Sequence, residues 1–256
     1  TDSNFFIDNS LILLYYCSED FFGGNDMIYV TGDTHGDRSR LSKKRLKALN
    51  PGDTLIICGD FGFLWNDDRA EQKFLYNLSK RPYNICFADG THENFDLLYR
   101  FPVKEKFGGR VHAVADNIFH LIRGEIYAIE DKKIFVMGGG QNPDRDPDEE
   151  LYEELPHFEI PDKADLLSAV ENLEKVNYKV DYIITHEPPA KIMDFLLLSE
   201  NGVSGTTALR AYFDELSTQA TYDKWFFGSM HIDKYISPSV IAVFNSIISA
   251  ETGERI

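Results

Sequence analysis

Six side chains in this sequence have the types and spacing that bind metal ions. They are Asp33 and His35 in GDTHG, Asp60 in GDFG, His92 in DGTHENF, His186 after DYIIT, and His231 in GSMHID. A mixture of carboxylate and imidazole suits Mn, Fe or Zn, whereas Mg and Ca prefer shells made of oxygen alone. One Asp-x-His is weak evidence, because polar residues after a strand ordinarily serve a turn. Five separate segments that each end on Asp or His exceed what solubility requires, and they point to a single cation site assembled from distant parts of the chain.

Such a site needs elements that deliver each group to one place. Every motif follows a short β-branched or aromatic run: MIYVT at 27–31, TLIIC at 54–58, NICFA at 84–88, DYIIT at 181–185 and WFFG at 225–228. Between them the pattern predicts helices over 38–49, 67–80, 163–177 and 205–218. In the third, Leu166, Val170, Leu173 and Val176 line one face, and in the fourth Leu209, Tyr212, Phe213 and Leu216 do the same. Runs between 111 and 137, parted by short polar or Gly turns, predict antiparallel strands, and DKYIS at 233–237 and VIAVF at 240–244 add two more. The alternation predicts an α/β fold with the metal-type residues beyond the carboxyl ends of the strands.

The order GDTHG, GDFG, GTHE, a lone His186 and GSMH resembles the calcineurin-like metallophosphoesterases, whose pattern runs GDxHG, GD, GNHE, His, GHxH. The resemblance spans residues 27–245, and DGTHENF and WFFG are similar to a bacterial subgroup of that family. It implies a four-layer sandwich of two mixed β-sheets flanked by helices. It implies a metal-dependent phosphoesterase that hydrolyses a phosphate mono- or diester of a small phosphorylated substrate. In the implied two-ion site, Asp33, His35, Asp60 and His231 hold the first ion, Asp60 bridges to the second, and His186 binds the second. His92 would contact the phosphate and protonate the leaving oxygen.

Two positions depart from that pattern. Thr91 stands where the family has Asn, and Ser229 where it has the first His. By analogy both belong to the second ion, which keeps only Asp60 and His186 and would bind weakly unless water or substrate completes the shell. Three readings stay open: a working enzyme that recruits its second ion with substrate, a one-metal module that binds phosphorylated ligands and turns them over slowly, or a drifted variant of an active parent. Glu187 is a candidate replacement carboxylate, although neighbours on an extended strand face opposite ways. Asn94 is expected to be structural.

Other residues carry plainer readings. Arg145, in the acidic, Gly- and Pro-rich insert at 138–162, either grips a substrate phosphate as a bidentate donor or pairs with its acidic neighbours. The triple glycine at 138–140 lacks the Lys-Ser/Thr of a nucleotide loop and reads as a turn. Trp65 walls the pocket or joins the core. His112 and His120 are expected as packed or surface histidines, His157 as exposed, and Asp67 and Asp68 as a helix N-terminus.

Composition bounds the function. The 256 residues fit one α/β domain, and 43% hydrophobic content supplies a core without disulfides. A net charge of -16 would repel a polyphosphate backbone and argues against long nucleic acid. Cys17, Cys58 and Cys86 form no CxxC, which predicts a reduced, cytoplasmic setting. The run LILLYYC at 11–17 is shorter than a membrane span and is flanked by Asp2 and Asp8, unlike a signal peptide, so no membrane association is expected. Residues 1–26 read as an N-terminal extension to a domain over 27–256. Their aromatic pairs either pack on it as an added strand or helix or are an artefact of the gene start.

Overall fold

The computed structural model describes residues 26–141, 158–198 and 206–256. Residues 1–25 of the expected extension, Arg145 and His157 lie outside the described residues.

Two mixed sheets face each other. The first holds β1 (Ile28–Thr31), β2 (Thr54–Cys58), β3 (Asn84–Ala88), β4 (Val103–Lys106), β5 (Gly109–Ala115), β6 (Ile118–Leu121) and β13 (Ile248–Ser249), in the order β13-β1-β2-β3-β6-β5-β4. The second holds β7 (Ile126–Ile129), β8 (Lys132–Met137), β9 (Tyr182–Thr185), β10 (Lys224–Phe227), β11 (Lys234–Ser237) and β12 (Val240–Ala242), in the order β11-β12-β10-β9-β8-β7. The central strands are parallel and buried on both faces, which is why they read as unbroken apolar runs.

Alternation along each strand divides the core. Val30, Ile56 and Cys86 point between the sheets and meet Val136, Ile184 and Phe226 from the other side. Their neighbours Tyr29, Leu55, Ile57 and Ile85 pack outward with residues of α1 (Arg69–Leu78) and α2 (Phe95–Leu98). On the far face, Phe135, Ile183 and Trp225 meet α3 (Lys163–Lys175) and α5 (Ala208–Gln219) through Ala169, Leu173, Leu209, Phe213 and Leu216. Helix, sheet, sheet and helix make the four-layer α/β sandwich expected from the motifs. No helix among the described residues is long and apolar enough to cross a membrane.

The helix expected over 38–49 is absent. The segment runs as successive turns, with Arg40 N bonded to Asp37 O and Ser42 N to Ser39 O, and it buries Leu41, Leu46 and Leu49 under the first sheet. The guanidinium groups of Arg40 and Arg45 reach the carbonyls of Phe244 and Asn245, and those distant partners set the path in place of a local ladder. Conversely, α4 (Ala190–Leu198) is not among the helices the pattern predicts; it begins right after two prolines, and proline is at home at a helix start. The strand cluster at 111–137 is also divided: β5 and β6 belong to one sheet, and β7 and β8 to the other.

His112 and His120 pack, as expected, but as part of a buried polar chain. Asp89 Oδ1 accepts from His120 Nε2 at 3.0 Å, and the two Nδ1 atoms of His120 and His112 stand 2.9 Å apart. Burial, then His120, depress the His112 imidazole to about 4, against the opposing pull of Asp89. An unfolded histidine titrates near 6.5, so the unfolded state binds the extra proton between those values, and the stability present above pH 6.5 is lost on acidification toward pH 4. The contribution of His112 to stability is expected to be lower at pH 5 than at pH 8, by up to about 2 kcal/mol. Urea denaturation of the parent and of His112→Gln at both pH values isolates it: the parent should lose stability relative to the variant on going from pH 8 to pH 5.

Candidate metal centre

The site forms where strand ends from both sheets meet. β1, β2 and β3 are parallel neighbours, as are β9 and β10, so all five carboxyl ends open on one rim. Beyond them lie Asp33 and His35, Asp60, Thr91 and His92, His186, and Ser229 and His231. Four of these hold left-handed backbone: His35 at φ 45°, Asp60 at 43°, Ser229 at 48° and His231 at 50°. Such conformations cost of order 1 kcal/mol or more each outside glycine, and they gather at functional sites. The glycines of the motifs make room for the side chains: a Cβ on Gly59 would collide with His186 Nδ1, and one on Gly228 with Asp33 Oδ1.

Three overlapping groups result, in each of which the ligand atoms lie within 4.8 Å of one another: Asp33 with His35 and His231, His35 with Asp60 and His92, and Asp33 with Asp60 and His186. The Nε2 atoms of His35 and His231 face each other at 3.0 Å. His231 Nε2 is 3.2 Å from Asp33 Oδ2, and His35 Nε2 is 3.7 Å from Asp60 Oδ2. His186 reaches both carboxylates, at 3.6 Å from Asp33 Oδ1 and 3.9 Å from Asp60 Oδ2. His92 stands on the other side of Asp60, giving its backbone N–H to Oδ1 at 2.7 Å and setting Nδ1 3.1 Å from Oδ2.

Electrostatics and satisfaction agree on what the arrangement accepts. Asp33 is fully buried and Asp60 is 2% exposed, and two such carboxylates demand positive charge between them. Burial works to raise the Asp33 carboxyl, but His186 and His231 hold it well below the usual range. Burial likewise works to lower His186, yet Asp33 and Asp60 push it up to about 10. Asp33 Oδ2 receives no well-aligned hydrogen bond among the described residues, although His231 Nε2 stands 3.2 Å from it. A buried oxygen left this way, with imidazole nitrogens turned to the same point, fits a divalent ion.

The family model of the calcineurin-like phosphoesterases matches residues 27–233. The chain belongs to that family. No curated protein matches it.

For a calcineurin-like phosphoesterase the two departures sit in the centre itself. Thr91 Oγ1 lies 3.1 Å from His92 Nδ1, and the Ser229 backbone N–H points at Asp33 Oδ1 at 3.3 Å, while the Ser229 hydroxyl has no partner among the described residues. Glu187 belongs to none of the three groups. It is spent on Arg210 Nη2 at 2.8 Å and on the backbone N–H of Gln141 at 3.1 Å, which removes it as a replacement ligand. Asn94 is structural: its side chain caps α2 through Leu97 N. Asp68 caps α1, as its position at a helix start predicts.

Sequence reasoning missed the residues that hold the candidate ligands from behind. Arg40 Nη1 donates to Asp33 O at 2.9 Å, and its guanidinium lies 5.1 Å from the Phe244 ring, which in turn stacks on His231 at 4.8 Å. Asp233 accepts from Phe244 N at 2.8 Å and fixes the same turn. Nothing in GDTHGDRSR marks Arg40, because the partner that joins it to the last motif, Phe244, lies 204 residues away. Trp65, for which a core position was one reading, is 47% exposed and lines a cleft beside His35 and His92.

Proposed function

We propose that this protein hydrolyses a phosphate mono- or diester with the help of divalent metal, Mn, Fe or Zn. The convergence of Asp33, Asp60, His35, His186 and His231 within ligand distance carries the reading. Asp33, His35, Asp60 and His231 would hold the first ion and His186, with Asp60, the second. Bound there, divalent ions polarise a phosphoryl oxygen and acidify water. Asp60 fixes the ring of His92 through Nδ1, so that His92, standing at the cleft, gives its proton to the leaving oxygen. Burial of Asp33 and Asp60 keeps water from competing for the carboxylates.

The second reading, a weak enzyme or phospholigand-binding module with one firm ion, is favoured by Thr91. Its hydroxyl already leans on His92, and a Thr or Ser oxygen is a poorer ligand than the Asn and His it replaces. Metal analysis after dialysis is expected to find close to one ion per chain. The double change Thr91→Asn with Ser229→His is expected to bring a second ion and faster hydrolysis of an aryl phosphate with Mn. Two equally held ions in the unaltered chain would remove the one-ion reading, and no hydrolysis by either form with any metal would remove the enzyme.

The proposed catalytic domain is 27–256, because β13 closes the first sheet against β1, with the preceding residues as an extension. Buried Cys58 and Cys86 in thiol form accord with the cytoplasmic setting we propose.

A further inference from the structure

A cleft of about 410 Å³ opens beside His35 and His92, and Phe63, Trp65 and Arg38 form part of its wall. Tryptophan is seldom left in water, and the other one in this chain, Trp225, is fully buried. Trp65 is different: nearly half its surface is exposed, and its indole makes no ring contact among the described residues. Yet the segment that carries it is held firmly. The buried carboxylate of Glu71 accepts the backbone N–H groups of Trp65 at 2.5 Å, Asn66 at 3.0 Å and Asp67 at 2.6 Å. Asn94 Nδ2 donates to Trp65 O at 2.8 Å. A flat apolar ring is therefore carried on a firmly held backbone with its face unused, and placing the ring's anchor in advance is the preorganisation that a stacking site needs.

The position of that ring selects which part of a substrate it meets. Asn94 follows His92 by two residues, so the turn with the proton donor and the loop with the indole are joined by a hydrogen bond into one unit. A proton from His92 goes to the leaving oxygen, and the group attached to that oxygen therefore emerges on the side of Trp65. Arg38, its guanidinium 5.6 Å from the Phe74 ring, brings positive charge to the same cleft and favours an anionic ester. Glu71 and Asp68 also line it, but both are engaged, with the loop backbone and with the start of α1.

We infer that Trp65 is the platform on which the leaving group stacks, and that the substrates are phosphate esters whose alcohol part carries a planar ring, aryl or nucleoside. This rests on the phosphoesterase reading above. The test uses two ligands that cannot be hydrolysed, phenylphosphonate and methylphosphonate, titrated into the full chain at constant divalent-ion concentration. Because Trp225 is buried, the fluorescence change and the protection from iodide quenching report on Trp65. Phenylphosphonate is expected to change the emission and shield it, and methylphosphonate to do neither. By calorimetry, Trp65→Ala is expected to weaken phenylphosphonate about ten-fold, with Trp65→Phe recovering most of the affinity and methylphosphonate shifting by less than about two-fold. Equal responses to the two phosphonates, or none to either, overturn the platform. Hydrolysis of simple phosphate esters, followed in the same preparations, separates the two ideas: if it persists while the phosphonates are indistinguishable, only the ring preference falls.

Discussion

Asp60→Asn is expected to strip the centre of firmly held metal and to lower phosphoester hydrolysis by about 1,000-fold or more, because the lost charge stabilisation amounts to several kcal/mol. Asp60 belongs to two of the three ligand groups, as Asp33 and His35 do, and its Oδ2 faces His35, His92 and His186 together. Asparagine keeps the shape and can still accept the His92 backbone N–H, so a change in metal content reports on charge and ligation rather than on packing. Thr91→Ala is the contrast. It removes one hydroxyl that touches His92, a net hydrogen bond of about 0.5–1.5 kcal/mol, and should leave metal content unchanged and rate within about ten-fold. Metal analysis after dialysis, with melting curves to confirm folding, decides the matter. Asp60→Asn retaining its ion would mean that the ion is held elsewhere.

The convergence of these side chains was legible in the sequence because each candidate ligand is announced locally: an apolar run, a glycine that permits close approach, then Asp or His. Those signals extend over about seven residues and do not depend on distant partners. What failed were features decided at long range. The turns at 38–49 obey Arg40 and Arg45, whose carbonyl partners belong to the segment after β12. The segment between β6 and β7 looks like one more hairpin turn, yet Gly124, at φ 74° and pressed against Ala169 of α3, carries the chain from one sheet to the other. Whether two neighbouring runs pair is set by which face each buries, and that is not written in the turn. Thr91 and Ser229 illustrate a different limit: they stand out as departures from the pattern the sequence resembles, but only the geometry shows the Thr91 hydroxyl leaning on His92 and Glu187 committed to Arg210.

The same long-range logic makes Arg123 the residue whose loss should cost the fold most. It is 5% exposed, and it gathers three segments at once: Nε donates to Asp89 Oδ2 at 2.8 Å, Nη1 to Asp165 Oδ2 at 3.3 Å, and Nη2 to Phe158 O at 2.8 Å. Asp89 follows β3 three residues before His92, Phe158 belongs to the insert at 138–162, and Asp165 completes the capping box of α3. Burial works to raise the Asp89 carboxyl, but Arg123 and His120 hold it far below the usual range, so it stays charged. Arg123→Met fills comparable space and leaves that charge with His120 alone, at an expected loss of about 3–5 kcal/mol in denaturant unfolding. Adding Asp89→Asn removes the stranded charge and is expected to restore part of the loss, since both members of a buried pair do not add. Because the Asp89 carbonyl also receives Gly139 N at 2.9 Å, the turn before His92 loosens with it, and kcat should fall by up to about 100-fold while the metal content holds. A single variant as stable as the parent would show that this cluster fills space without bracing the turn that carries His92.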